Sequence, residues 1–245
     1  MTTFDASEVE KFSKIADEWW DLNGKFKPLH KFNPTRILYI RKKIIEHFNL
    51  EQSSAQPFLG KKIIDIGCGG GLIAEPFARM GAEVVGVDAS EKNIAVAKIH
   101  AQKSGLEINY RRNLVEELTL DEKNLESFDV VFALEIIEHV ADVEEFIKNC
   151  SKLVKKDGLL FVATLNRTVK SLLMAKIGAE YVLRWLPIGT HDWNKFLKPS
   201  EINSIAKNHE LDLKELCGFS YNLLKDEWSE NLRDLDINYI AIFKR

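Results

Sequence analysis

Apolar runs alternate with amphipathic stretches through the middle of the chain. Runs at 62–66, 83–87 and 129–134 predict buried strands. Stretches at 72–80, 91–104 and 142–154 have apolar residues at helical spacing. Further strands are expected at 108–110, 159–165, 211–219 and 237–243. This alternation predicts an α/β fold with a doubly wound, Rossmann-like sheet of seven mostly parallel strands.

Two helices are expected before the first strand. Residues 7–21 place apolar side chains near one helical face, which predicts an amphipathic helix. A loop with Gly24, Pro28 and Pro34 follows, and 36–48 is predicted as the second helix.

Composition excludes several classes of protein. The net charge of -3 comes from 34 basic and 37 acidic residues without a long run of one sign, which argues against a nucleic-acid partner. No apolar window has the roughly 18 residues that a spanning helix needs. The three cysteines fit free thiols in a reducing compartment. We therefore expect a cytoplasmic protein.

A glycine-rich turn joins the first strand to the first helix. It follows Asp65 and contains Gly67 and Gly69, at the position where doubly wound sheets bind nucleotide-like ligands. A dinucleotide fingerprint would need glycine where Leu72 stands. A carboxylate suits the positive sulfonium and ammonium groups of S-adenosylmethionine (SAM) better than a pyrophosphate. The turn thus favours SAM, and Asp88 at the end of the second strand is expected to accept ribose hydroxyls.

Two acids and a histidine follow the strand that ends at Leu134. Glu135, Glu138 and His139 would share one face if the segment is helical. They could hold a divalent ion that lowers the pKa of a phenolic hydroxyl. Alternatively, His139 is a general base that Glu135 or Glu138 orients. A third interpretation is an ordinary charged helix start.

A segment after the fifth strand interrupts the alternation. It carries large apolar side chains on one helical stripe, at Met174, Ile177, Tyr181 and Trp185. Positive charges surround the stripe, at Arg167, Lys170, Lys176 and Arg184. Such a segment, 166–187, could lie in a membrane surface. It could also be a lid helix that packs onto Trp19 and Trp20.

The chain resembles the class I SAM-dependent methyltransferases and, closely, the family of ubiquinone biosynthesis O-methyltransferases. The resemblance covers nearly the whole chain and rests on motifs at 19–22, 26–30, 33–36, 65–71, 128–131, 135–140, 164–167, 178–181 and 189–192. It implies SAM contacts at Arg36, Gly67, Asp88 and Leu134. It also implies a divalent ion, magnesium, at Glu135, Glu138 and His139.

The resemblance further implies the reaction. The family methylates a phenolic hydroxyl of a polyprenyl catechol and of 3-demethylubiquinol, and other ubiquinone-synthesis enzymes are candidate partners. We therefore expect a peripherally membrane-associated O-methyltransferase. Two alternatives stay open: a methyltransferase of a soluble small phenol, and a non-catalytic subunit that binds the quinone lipid. Intact Asp65, Gly67, Gly69 and Asp88 argue against the second.

These expectations define one domain over 1–245. Residues 1–58 form an N-terminal helical cap and 60–165 the SAM-binding core. Residues 166–199 form the lid or membrane-proximal insertion, and 200–245 the C-terminal part of the sheet.

Overall fold

The computed structural model describes residues 3–173 and 192–245. Its centre is an eight-stranded sheet in the order β3-β2-β1-β4-β5-β8-β6-β7. The strands are β1 Lys62–Ile66, β2 Glu83–Asp88, β3 Asn109–Arg112, β4 Phe128–Leu134, β5 Val154–Leu165, β6 Asp212–Asn222, β7 Glu227–Asn231 and β8 Asn238–Lys244.

Helices lie before, between and after these strands. They are α1 Ala6–Lys14, α2 Lys27–Phe48, α3 Ala74–Arg79, α4 Glu91–Lys103, α5 Val115–Leu118, α6 Val143–Leu153, α7 Val169–Ser171 and α8 Pro199–Lys207. Short 3-10 turns lie at Ala16–Glu18, Glu122–Asn124, Ile137–His139 and Trp193–Lys195.

The parallel half of the sheet carries the core of the molecule. Strands β3, β2, β1, β4 and β5 pair in parallel, so their carboxyl ends meet at one edge, here called the carboxyl edge. Every residue of β4 is buried, because helices cover both faces of the sheet. Strand β8 then pairs antiparallel with β5. The predicted doubly wound α/β fold is confirmed.

Two details differ from the sequence-based expectation. The sheet has an eighth strand, β7, whose polar sequence at the sheet margin gives no apolar pattern. Helix α2 begins nine residues earlier than expected and contains both prolines. Pro28 lies in its first turn, where backbone N–H groups have no helical partner, and the exposed Pro34 interrupts one hydrogen bond only.

The predicted insertion falls mostly outside the described residues. Only 166–173 and 192–199 can be placed, and the apolar stripe of Met174, Ile177, Tyr181 and Trp185 lies outside them. The prediction of a lid or membrane segment therefore stays a prediction. Within 3–173 and 192–245, no helix is long and apolar enough to cross a membrane.

Candidate active site

Two adjoining cavities open at the carboxyl edge, above β1, β2 and β4. One has a volume of about 120 Å³ and the other of about 510 Å³. They share six lining residues: Glu8, Phe12, Trp19, Gly67, Glu135 and His139. All nine residues that sequence reasoning selected line one cavity or both: Arg36, Asp65, Gly67, Gly69, Asp88, Leu134, Glu135, Glu138 and His139.

The glycine turn lies between the two cavities and contributes to the lining of both. Gly67 has φ +74° and Gly69 has φ +53°, a backbone conformation that favours glycine. A Cβ atom on Gly69 would lie 2.3 Å from the ring of Trp19, and one on Gly67 would lie 2.8 Å from Ile136. The turn therefore requires glycine for its conformation and for the side chains that pack on it.

Asp88 ends β2 and faces the smaller cavity. Its carboxylate accepts hydrogen bonds from the backbone N–H groups of Gly69 at 3.0 Å and Ser90 at 2.8 Å, and from the Asn93 side chain at 3.1 Å. These three donors fix the orientation of the carboxylate. A carboxylate has about four acceptor positions, so Asp88 retains capacity for a ligand hydroxyl.

Asp65 and Arg36 lie buried beside the larger cavity. In the described part of the chain, Oδ2 of Asp65 and Nε of Arg36 have no hydrogen-bond partner. Burial raises the pKa of Asp65 to about 7, although the positive charge of Arg36 opposes this shift. A ligand with an ammonium group and a carboxylate, such as SAM, would provide the missing partners for both side chains.

Glu135 directly follows β4, and its backbone has φ +56°. Such a conformation is costly for a glutamate and is typical of functional sites. Its Oε1 accepts from Nη1 of Arg36 at 3.0 Å. Burial and the neighbouring Glu138 nevertheless raise the pKa of Glu135 to about 7. Leu134, one residue earlier, is buried and gives the larger cavity an apolar wall.

His139 pairs with a residue of the N-terminal helix. Its Nδ1 lies 2.9 Å from Oε2 of Glu8, and the ring of Phe12 packs edge-on against it at 5.1 Å. Burial disfavours the charged imidazole, but the Glu8 hydrogen bond and the charges of Glu138 and Glu8 outweigh burial and raise the pKa of His139. The same hydrogen bond lowers the pKa of Glu8 to about 2. Because Nδ1 is paired with Glu8, Nε2 is the ring nitrogen that this hydrogen bond does not use.

The three expected metal ligands do not form a metal site. Across 3–173 and 192–245, no three His, Cys, Asp or Glu side chains are arranged to hold an ion. The segment is a single 3-10 turn, and each side chain has its own protein partner. These pairs are Glu135 with Arg36, Glu138 with Thr164 at 2.9 Å and His139 with Glu8. The structure therefore does not support the magnesium expectation.

Sequence reasoning missed what the N-terminal segment contributes. Glu8, Phe12 and Trp19 line both cavities, and Trp19 Nε1 donates to Asn93 at 3.0 Å. The amphipathic pattern of 7–21 showed that one face is buried but not which surface it covers. The motif at 19–22 was the available signal, since the resemblance rested partly on it.

The fold is that of a SAM-dependent methyltransferase. A family model described as "Methyltransferase domain" matches residues 64–162. Magnesium protoporphyrin IX methyltransferase from Synechocystis PCC 6803, solved with bound SAH, aligns with a TM-score of 0.64. The alignment covers 99% of this chain and 96% of that one at 17% identity, so this likeness supports the fold alone.

Curated relatives identify the family. The ubiquinone biosynthesis O-methyltransferase of Pelagibacter ubique is 54% identical over 243 residues, 99% of both chains. That of Bartonella bacilliformis is 52% identical over 244 residues, which cover 100% of this chain and 97% of the relative. The chain belongs to the family of ubiquinone biosynthesis O-methyltransferases.

Proposed function

We propose that this protein transfers the methyl group of SAM to a phenolic hydroxyl of a polyprenyl catechol and of 3-demethylubiquinol. The observation that carries this proposal is the pair of adjoining cavities that share Glu135 and His139. The smaller cavity, beside Asp88, suits the nucleoside of SAM. Asp65 and Arg36 suit its amino-acid end.

The remainder of the larger cavity suits an aromatic ring with an apolar tail. Its lining includes five apolar side chains from the segment between α1 and α2, from the start of α2 and from the region after the glycine turn, namely Ile15, Phe26, Leu29, Leu72 and Ile73. Apolar lining with a few polar groups is typical of small-molecule sites, and those groups fix the orientation of the ligand. Here the polar groups next to the ring would be Glu135, Glu138 and His139.

His139 is the proton acceptor in this proposal. SAM supplies an electrophilic methyl group. As the bond from the phenolic oxygen to the methyl carbon forms and the bond from sulfur to that carbon breaks, the phenolic proton passes to Nε2 of His139. Glu8 orients the ring through Nδ1 and stabilises the imidazolium that results. The protein contributes position and a proton acceptor and forms no covalent intermediate.

No step of this mechanism is assigned to magnesium, because Glu135, Glu138 and His139 are each paired with another side chain. We further propose a cytoplasmic enzyme that contacts the membrane through 166–187. The exposed Val169 and Leu173 at the start of that segment support this placement. Contacts with other ubiquinone-synthesis enzymes stay a prediction from the resemblance.

The test is a methylation assay with the purified protein, SAM and short-chain forms of both substrates. Mass spectrometry should detect an O-methylated product, with a chelator present or absent. Product that disappears with the chelator and returns with magnesium would contradict the metal-free mechanism but keep the reaction. Methylation of a simple soluble catechol alone would favour the soluble-phenol alternative.

A further inference from the structure

Asn33 is a buried polar residue of α2 that lines the larger cavity. Only 5% of its surface is exposed. Leu29, one helical turn earlier, and Arg36, one turn later, line the same cavity. Leu29 belongs to the apolar part of the cavity, and Arg36 belongs to the part that suits the amino-acid end of SAM. Asn33 therefore lies between the region that suits the phenol ring and the region that suits the cofactor.

A hydrogen bond to Arg36 fixes the direction in which the Asn33 amide points. Its Oδ1 accepts from Nη2 of Arg36 at 2.6 Å. A guanidinium group has donors only, so the amide oxygen must face Arg36 and Nδ2 must face away from it. Within 3–173 and 192–245, Nδ2 donates no hydrogen bond, yet it is not sealed off in the way that Nε of Arg36 is. The N–H groups of Nδ2 are thus free to donate to a ligand in the cavity.

The amide is also held firmly in place. Arg36, its partner, donates through Nη1 to Glu135 at 3.0 Å and lies over the ring of Phe32 at 4.9 Å. These contacts restrict the guanidinium group and, through it, the amide. A fixed donor in a buried site discriminates strongly between ligands, because a ligand without an acceptor leaves the donor unpaired.

The same guanidinium group connects Asn33 to the reacting end of the cavity. Glu135, which accepts from Nη1 of Arg36, lines both cavities together with His139. One guanidinium group therefore separates the Asn33 amide from the carboxylate beside the proposed proton acceptor. A phenol ring that lies between Leu29 and His139 would have Asn33 next to a ring position adjacent to its reacting hydroxyl.

An amide N–H group recognises an oxygen by its lone pairs. The oxygens of a hydroxyl and of a methoxy group both accept from it, whereas a ring C–H group cannot accept. A carboxylate in the same place would instead require the ligand to donate a proton. The amide of Asn33 therefore suits a phenol with a neighbouring oxygen, whether or not that oxygen carries a methyl group.

We propose that Asn33 is a specificity residue, whose Nδ2 donates a hydrogen bond to the ring oxygen adjacent to the hydroxyl that is methylated. The site then selects phenols with two neighbouring oxygens over phenols with one. For its reaction this inference rests on the proposed function, but recognition of the second oxygen can also be measured by binding alone.

The test uses three soluble phenols with the same short alkyl chain. They differ only at one position next to the reacting hydroxyl, which carries a hydroxyl, a methoxy group or a hydrogen atom. For wild type, kcat/KM should be at least about tenfold higher for the first two compounds than for the third, because the third leaves the Asn33 donor unpaired.

Asn33→Asp replaces the donor with an acceptor and keeps the oxygen that pairs with Arg36. A methoxy oxygen would then face a carboxylate without a proton between them, whereas a second hydroxyl can donate to that carboxylate. The ratio of kcat/KM for the methoxy compound to that for the dihydroxy compound should fall at least about tenfold below its wild-type value. A uniform effect of the new charge cancels in this ratio. The control Asn208→Asp makes the same change at an exposed residue that ends α8 and should keep the wild-type ratio.

Binding separates this proposal from the proposed function. Isothermal titration calorimetry with SAH present gives the affinity for each phenol without turnover, and titration of the variant with SAM shows that it folds. The affinities should follow the same order as the values of kcat/KM. If wild type methylates none of the three phenols, the reaction is wrong, and the affinities still decide the role of Asn33.

Three results would overturn the proposal. Equal wild-type affinity for the methoxy compound and the compound with hydrogen would do so without any variant. The other two are an unchanged ratio in Asn33→Asp and a loss confined to the affinity for SAM, since Asn33 would then only hold Arg36 in place.

Discussion

At the scale of single residues, the sequence predicted the polar groups at the carboxyl ends of the strands. Asp65, Asp88 and Glu135 belong to this group, because parallel strands bring their carboxyl ends to one edge of the sheet. Glu8 could not be predicted in its role. It lies 131 residues from His139 in the chain, and a helical pattern reports burial but not the partner of a buried side chain.

Asp65 should govern the affinity for SAM. Asp65→Asn keeps the shape but removes the charge that would pair with the ammonium group, so we expect SAM binding to weaken by about ten- to a hundredfold. The wild-type affinity should rise as the pH rises through about 7, because Asp65 becomes ionised there. Isothermal titration calorimetry across this range measures both effects.

The control for this variant is Asp121→Asn, which removes an exposed carboxylate that caps the 3-10 turn at 122–124. It should bind SAM like wild type. Unchanged affinity of the Asp65 variant at every pH would refute the ammonium contact.

Glu8 should set the pH at which the proposed base works. The Glu8 carboxylate stabilises the protonated ring, so wild-type activity should increase with pH through a value above 6.5, the ordinary pKa of histidine. Glu8→Gln removes that charge, lowers the pKa of His139 and should shift the rising limb to lower pH. The pH dependence of kcat/KM on the short-chain phenol measures this shift.

Glu10→Gln provides the same chemical change two residues away. Glu10 pairs with the exposed Lys14 at 2.8 Å and should leave the pH profile unchanged. A Glu8→Gln profile that coincides with the wild-type profile would remove His139 from the role of proton acceptor.

At the scale of elements, the pattern of apolar residues predicted the buried strands. It did not predict the polar strand at the margin of the sheet or the full length of α2. Strand β4 is fully buried and was easy to recognise, whereas the polar β7 is held by its ladder with β6 and by α2. Prolines 28 and 34 suggested a loop where α2 is helical. Strand pairing and packing overrode the local signal of β7, whereas α2 accommodates Pro28 in its first turn and loses one hydrogen bond at Pro34.

The glycine turn should depend on its contact with Trp19. Gly69→Ala costs about 1 kcal/mol for the left-handed backbone and a further ~1–3 kcal/mol for overlap with the Trp19 ring. Gly105 also has a positive φ, +67°, but a Cβ atom there meets nothing within 4 Å in the part of the molecule described. Gly105→Ala should therefore lower the free energy of unfolding only by the cost of the left-handed backbone.

Urea denaturation of both variants gives the two losses in the free energy of unfolding. Equal losses would mean that Trp19 does not pack on the turn. A larger loss for Gly69→Ala supports the packing and predicts weaker SAM binding in the same variant.

At the scale of the whole molecule, the alternation of strands and helices in the sequence predicted the parallel half of the sheet. The position of β8 between β5 and β6 could not be read from the sequence, because antiparallel insertion into a sheet leaves no periodic signal. The fold alone places the two cavities at the carboxyl edge of the sheet. The reaction required the family relatives, since one fold supports many reactions.

We propose above all that the two cavities together hold SAM and a phenol so that the methyl group passes to the phenolic oxygen. The direct measurement uses SAM with a deuterated methyl group and short-chain 3-demethylubiquinol, and locates the label in the product by NMR. We expect the label in a new methoxy group, and we expect Asp65→Asn to slow its transfer at limiting SAM. A label on a ring carbon, or no transfer by protein that binds SAM, would contradict it.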